Sequence, residues 1–197
     1  KYIQSSEMGA EHVLANLSRE RVYSKVKKFM NDVFETIRQN IKVGHSIHIF
    51  SPFIHRKVIR QFLELFKKQI GNIPRQHRPR LAIVSNEVDK ALSELVEGYK
   101  NCSVEQASSD FHCKFVAHVG PDVNDEVKIL NMSANFTSHH MQIDPADDEG
   151  FTNLDWVCLH SVDRATWDTW NRDITDLNYR RTNPKNDIMN VNIMRSL

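Results

Sequence analysis

The chain has 197 residues, 40% of them hydrophobic and 26% charged, the proportions of an ordinary globular protein with room for one sizeable core. No apolar run approaches the roughly 18 residues of a membrane span, and no signal-peptide pattern opens the chain. A formal net charge of +1 excludes a global attraction to polyanions, so an anion-binding role has to come from local clustering of cations.

In chain order, residues 1–20 read as an N-terminal extension, and Lys1 in place of Met raises the expectation of a piece of a longer polypeptide. Residues 21–41, "RVYSKVKKFMNDVFETIRQNI", place Val22, Val26, Phe29, Met30, Val33, Phe34, Ile37 and Ile41 at steps of three and four. That spacing predicts a long helix with one apolar stripe, ended by Gly44. "SIHIFS" alternates Ile47 and Ile49 with polar neighbours, a short strand stopped at Pro52.

A second helix follows, with Val58, Ile59, Phe62, Leu63, Phe66 and Ile70 on one side and Arg56, Lys57, Arg60, Lys67 and Lys68 on the other. The basic loop "GNIPRQHRPR" leads to the apolar strand "LAIVS". Asn86 suits the cap of a third helix carrying Val88, Ala91, Leu92, Leu95, Val96 and Tyr99. Solvated helix faces are usually charged. The run from Arg56 to Arg80 is nearly all of one sign, however, and such a surface attracts nucleic acid or an acidic phospholipid headgroup.

Beyond Lys100 the pattern changes to short strands near 103–106, 113–119, 127–131 and 155–160, with "GPDVNDE" as a long hairpin loop. "DPADDEG" is an acidic loop. Trp167, Trp170, Ile174 and Leu177 predict a last helix capped by Ser161 or Asp163, and residues 179–197 read as a C-terminal tail. The domain proper is then residues 21–178, an α/β unit of two early βα steps and a mostly antiparallel second half. Cys102, Cys113 and Cys158 show neither disulfide-framework nor zinc spacing. Reduced thiols of an intracellular protein, cytoplasmic or nuclear, are the expectation.

The chemistry gathers in "DFHCKFVAHVG", residues 110–120. On a strand, His112 and Lys114 project to one face while Cys113 turns into the core. The returning strand, "KILNMSAN", carries Ser133 and Asn135 toward the same sheet end. An imidazole, an ammonium, a hydroxyl and a carboxamide around one pocket suit a phosphate ester, with the ammonium and the neutral donors on its non-bridging oxygens. A neutral histidine near pH 7 is able to attack phosphorus and form a covalent phospho-histidine. His118 shares the strand face and is either a second phosphate contact or a structural histidine. His139 and His140 either line the pocket as proton donors or are solvated. The bland alternative for His112 and Lys114 is a surface pair on an edge strand.

"HCKFVAHV" followed by "ILNMSANFT" resembles the His-x-Lys … Ser-x-Asn motif of the phospholipase D superfamily. Asn153-Leu154-Asp155 echoes its following Asn-x-acid, and the likeness runs from about residue 40 to 178. The resemblance implies a mixed sheet with helices on both faces and a metal-independent, cofactor-free phosphodiesterase, nuclease-like, acting on nucleic acid. In it His112 is the nucleophile, Lys114, Asn135 and Ser133 bind phosphate, and Asp155 orients His112. Val119 stands where many members have an aspartate, Met132 replaces the glycine before the serine, and the hairpin is longer than usual. A branch acting on tyrosyl-DNA also lacks that acid. Family catalysis uses two facing motifs, so the single motif here implies a homodimer or a second half elsewhere in the parent chain. The other reading is a degenerate module that binds nucleic acid or anionic phospholipid, or scaffolds a protein partner, without turnover.

Overall fold

The computed structural model describes residues 22–107, 111–141 and 155–175. The extension 1–20, the tail 179–197, the acidic loop, Asn153, Leu154 and Leu177 lie outside the described residues.

Six strands form one mixed open sheet. In chain order the elements are α1 (Val22–Gln39), β1 (Ser46–Phe50), α2 (Arg56–Ile70), β2 (Arg80–Ser85), α3 (Lys90–Glu97), β3 (Cys102–Gln106), β4 (Phe115–Val119), β5 (Val127–Met132), α4 (Ser138–Met141), β6 (Val157–Val162) and α5 (Arg164–Thr175). The strands lie in the order β3-β2-β1-β4-β5-β6. β1, β2 and β3 run parallel, joined through α2 and α3, whereas β4, β5 and β6 form an antiparallel meander whose first strand pairs with β1.

Alternation along the strands divides the apolar residues between two faces. Ile47, Ile49, Leu81, Ile83, Val116 and Leu130 meet the stripes of α1, α2 and α3, with Phe34, Phe62 and Phe66 fully buried among them. On the other face Phe50, Val84, Phe115, Ala117 and Ile129 pack against Trp167 and Ile174 of α5. The rings of Phe50 and Phe115, register partners across β1 and β4, stack 4.5 Å apart. Burying side chains of this size stabilises the fold by roughly 1.5–3 kcal/mol each before entropy is counted. Helices thus cover both faces. Among the described residues no helix is long and apolar enough to cross a membrane.

Three local expectations are corrected. α1 ends at Gln39, and Gly44 instead makes the turn into β1, at φ 108° and against Pro121. α3 starts after Asp89, whose carboxylate accepts from the Leu92 amide at 2.6 Å. Asn86 brackets another segment, donating to the Phe111 carbonyl at 3.1 Å and accepting from the Phe111 amide at 3.3 Å. Finally, β4 begins at Phe115, so His112 and Lys114 sit in the irregular lead-in rather than on the strand. Of the two caps open for α5, Asp163 is the one used: it accepts from the Thr166 amide at 2.8 Å.

Candidate phosphoryl-binding site

The parallel strands β1 and β2 end where β4 and β6 begin and β5 ends, because Phe50 pairs with Phe115 and Met132 with Val157. In open α/β sheets ligands bind at such carboxyl ends, where the strand order reverses. Here the loop after β1 and the loop after β5 are stitched together there. The Ser51 hydroxyl, fully buried, accepts from the Phe136 amide at 3.1 Å and donates to the Phe53 carbonyl at 2.8 Å. The His55 amide donates to the Phe136 carbonyl at 2.9 Å, and the Ser138 amide donates to His55 Nδ1 at 3.3 Å. Ser85 Oγ donates to the Pro52 carbonyl from the next strand, at 3.1 Å. These bonds tie the backbone on both sides of Asn135 to the loop after β1.

Lys114 continues the ladder one step past β4, its carbonyl accepting from the Met132 amide at 2.9 Å. The ammonium is half-buried and donates to the His112 carbonyl at 2.7 Å. That is its one hydrogen bond among the described residues, which leaves two donors for a ligand. Burial lowers its pKa below the ordinary lysine value, while the charges of Cys113 and Asp155 oppose the shift. The Asp155 carboxylate is therefore close enough for its field to reach the ammonium.

Asp155 is mostly buried and divides its oxygens between two partners. Oδ1 accepts from Ser133 Oγ at 2.7 Å, and Oδ2 faces His140 Nδ1 at 3.3 Å. Ser133 Oγ in turn accepts from the Trp156 amide at 3.0 Å. The carboxylate expected to orient His112 is thus given to Ser133 and His140 instead. His140 comes from α4, a single helical turn. Its signal in the sequence was only the doubled histidine after "SANFTS".

Asn135 carries the unfinished bonding of the site. Its Oδ1 is buried without a hydrogen-bond partner among the described residues, a state costing about 1–3 kcal/mol unless something else completes it. The His112 ring is exposed and makes no hydrogen bond among the described residues.

His118 is not brought to this end. It lies toward the far end of β4, buried, with Nε2 3.1 Å from Nδ1 of the buried His45 and the two rings stacked. Burial, followed by the charges of His45 and Lys128, pushes its pKa down to about 4. At neutral pH it is an uncharged core group. Among the described residues no cluster of three or more His, Cys, Asp or Glu side chains is placed to hold a metal ion.

The structure therefore gathers Lys114, Ser133, Asn135 and Asp155 at one sheet end, with the His112 ring exposed at its edge, adds His140, and leaves His118 out. No protein-family model and no curated protein matches the sequence.

Proposed function

We propose that this domain is a metal-independent phosphodiesterase of the phospholipase D type, acting on nucleic acid through a phospho-histidine at His112. The observation that carries the reading is the Lys114 ammonium, with donors to spare, beside a part-buried Ser–Asp–His chain at the carboxyl end of the parallel strands.

In this scheme Lys114 and the Asn135 amide hold the non-bridging oxygens and neutralise the charge that grows on them. A ring nitrogen of His112 attacks phosphorus, the phosphorus–oxygen bond to the leaving nucleoside breaks, and the departing oxygen takes a proton from an acid. Water then attacks the phosphoramidate phosphorus and returns the histidine. The facing acid is a second copy of the motif, supplied by a homodimer or by another part of the parent chain.

The test is cleavage of a labelled single-stranded oligonucleotide in excess EDTA by the wild type and by His112→Ala. The wild type cleaves, and His112→Ala loses at least about a thousandfold, as removal of a covalent nucleophile does. Equal activity in the two proteins, or none in either, refutes the reading.

One observation favours a non-catalytic module instead. Asp155 is engaged by Ser133 and His140 and leaves the His112 ring without a carboxylate partner. On that reading the site binds phosphate without turning it over, and neither protein cleaves while both bind.

A further inference from the structure

Beside the phosphoryl site lies an open hollow of about 760 Å³, between the start of α2 and the loop before α3. Its α2 wall carries Phe53, Arg56, Lys57 and Arg60, and its opposite wall carries Glu87 and Asp89. Phe53 is 47% exposed although it belongs to a loop pinned by Ser51 and Phe136. A large aromatic ring held in water on a rigid loop has no role in the core, and its face is free to accept a flat partner.

The charges around it are arranged against helix stability. The first turn of α2 holds basic residues and no acid, although the amino end of a helix favours negative charge. The one acid within α2, Glu64, is taken by the Tyr99 hydroxyl. Arg56 and Arg60 are one turn apart on the same face, about 6 Å between their Cβ atoms, close to the step between phosphates of an extended strand. Ser138 lines the same hollow and is bonded to His55, so the track runs on from the segment that bears Ser133 and Asn135.

We infer that this hollow is a single-strand binding track, with Phe53 stacking an unpaired base while Arg56 and Arg60 hold the flanking phosphates. The inference rests on the nucleic-acid reading above and narrows it to unpaired strands. A base presents its face to a ring only when it is out of the duplex stack. Asp89 keeps its charge while capping α3, so Glu87 and Asp89 both oppose a polyanion on that wall and Glu87 is the one that can be neutralised without losing a cap.

The experiment is fluorescence anisotropy with a labelled oligo(dT) 12-mer, a duplex of equal length and phosphatidylserine vesicles, on the full chain in EDTA. Phe53→Ala weakens oligo(dT) binding at least about fivefold, and Phe53→Trp restores it, as expected of base stacking. Arg56→Ala and Arg60→Ala each flatten the slope of log K against log salt by about 0.7, and Glu87→Gln tightens binding. Anisotropy reads binding whether or not the protein cleaves, so failure of the catalytic reading and failure of the track are told apart. Phe53→Ala binding as well as the wild type overturns the inference. So does duplex bound as tightly as single strand, or vesicles bound in preference to both.

Discussion

Lowering the pH from 7 to 5 removes a calculable part of the stability, and His48 is the place to measure it. Its ring lies between the sheet and α5, edge-on to Trp167 with centroids 5.1 Å apart. Burial, with a smaller push from Arg164, drives its pKa down from 6.5 to about 4. His118 is driven equally low against His45, with Asp125 opposing. Both folded-state values lie below those of the unfolded chain, so the unfolded state takes up protons first. The stability is whole above about pH 6.5 and drains away as the pH falls toward 4. At pH 5 the difference is worth about 2 kcal/mol per ring, on the order of 4 for the pair. A domain with about 5–15 kcal/mol in total feels that strongly.

The assay is urea unfolding at pH 7 and pH 5 for the wild type and for His48→Phe, whose ring keeps the contact with Trp167. The Ser46 hydroxyl, 2.9 Å from His48 Nε2, loses its partner in the variant at both pH values, and carboxylate effects are common to the two proteins. Both terms cancel. Between pH 7 and 5 the wild type loses about 2 kcal/mol more than the variant. Equal losses would refute the assignment of a neutral, desolvated imidazole.

Two further outcomes concern the site. Asp155→Ala leaves Ser133 Oγ and His140 Nδ1 without their acceptor and lowers stability by about 1–3 kcal/mol, read by chemical denaturation, while Asp155→Asn recovers part of it. Lys114 has its pKa lowered by burial, so the ammonium discharges at a pH below that of an ordinary lysine. Phosphate-ester binding by the wild type therefore fades on the alkaline side earlier than an exposed lysine would allow, and Lys114→Arg moves that fall to higher pH in a titration of oligonucleotide affinity.

What could be read from the sequence follows the length of each signal. α1 and α2 carry four or more turns of repeating apolar residues, and β1 and β2 alternate cleanly before their loops, so periodicity suffices for them. α4 is a single turn and has no period to detect, which is why the sequence left His140 open between lining the pocket and facing solvent. Asn86 and Asp89 are both good caps by type. Only the docking of Phe111 onto Asn86, a contact between distant residues, decides between them. The lead-in "FHCK" alternates like a strand, yet the ladder stops at Lys114 and the ammonium folds back on the His112 carbonyl. The hairpin pattern accounts for the Met132 amide meeting the Lys114 carbonyl, which sets the segment bearing Ser133 and Asn135 at the same sheet end. The partner of Asp155 depended on three-dimensional neighbours.

β1 sits at the centre of the sheet with neighbours of opposite origin. β2 follows it closely, whereas β4 is synthesised much later, and closing that long loop is entropically slow. Until it closes, Lys114 has no fixed position relative to the loop that follows β1. The candidate site is thus assembled only when β4 docks on β1, so a chain folded no further than its parallel half carries the motif without the site.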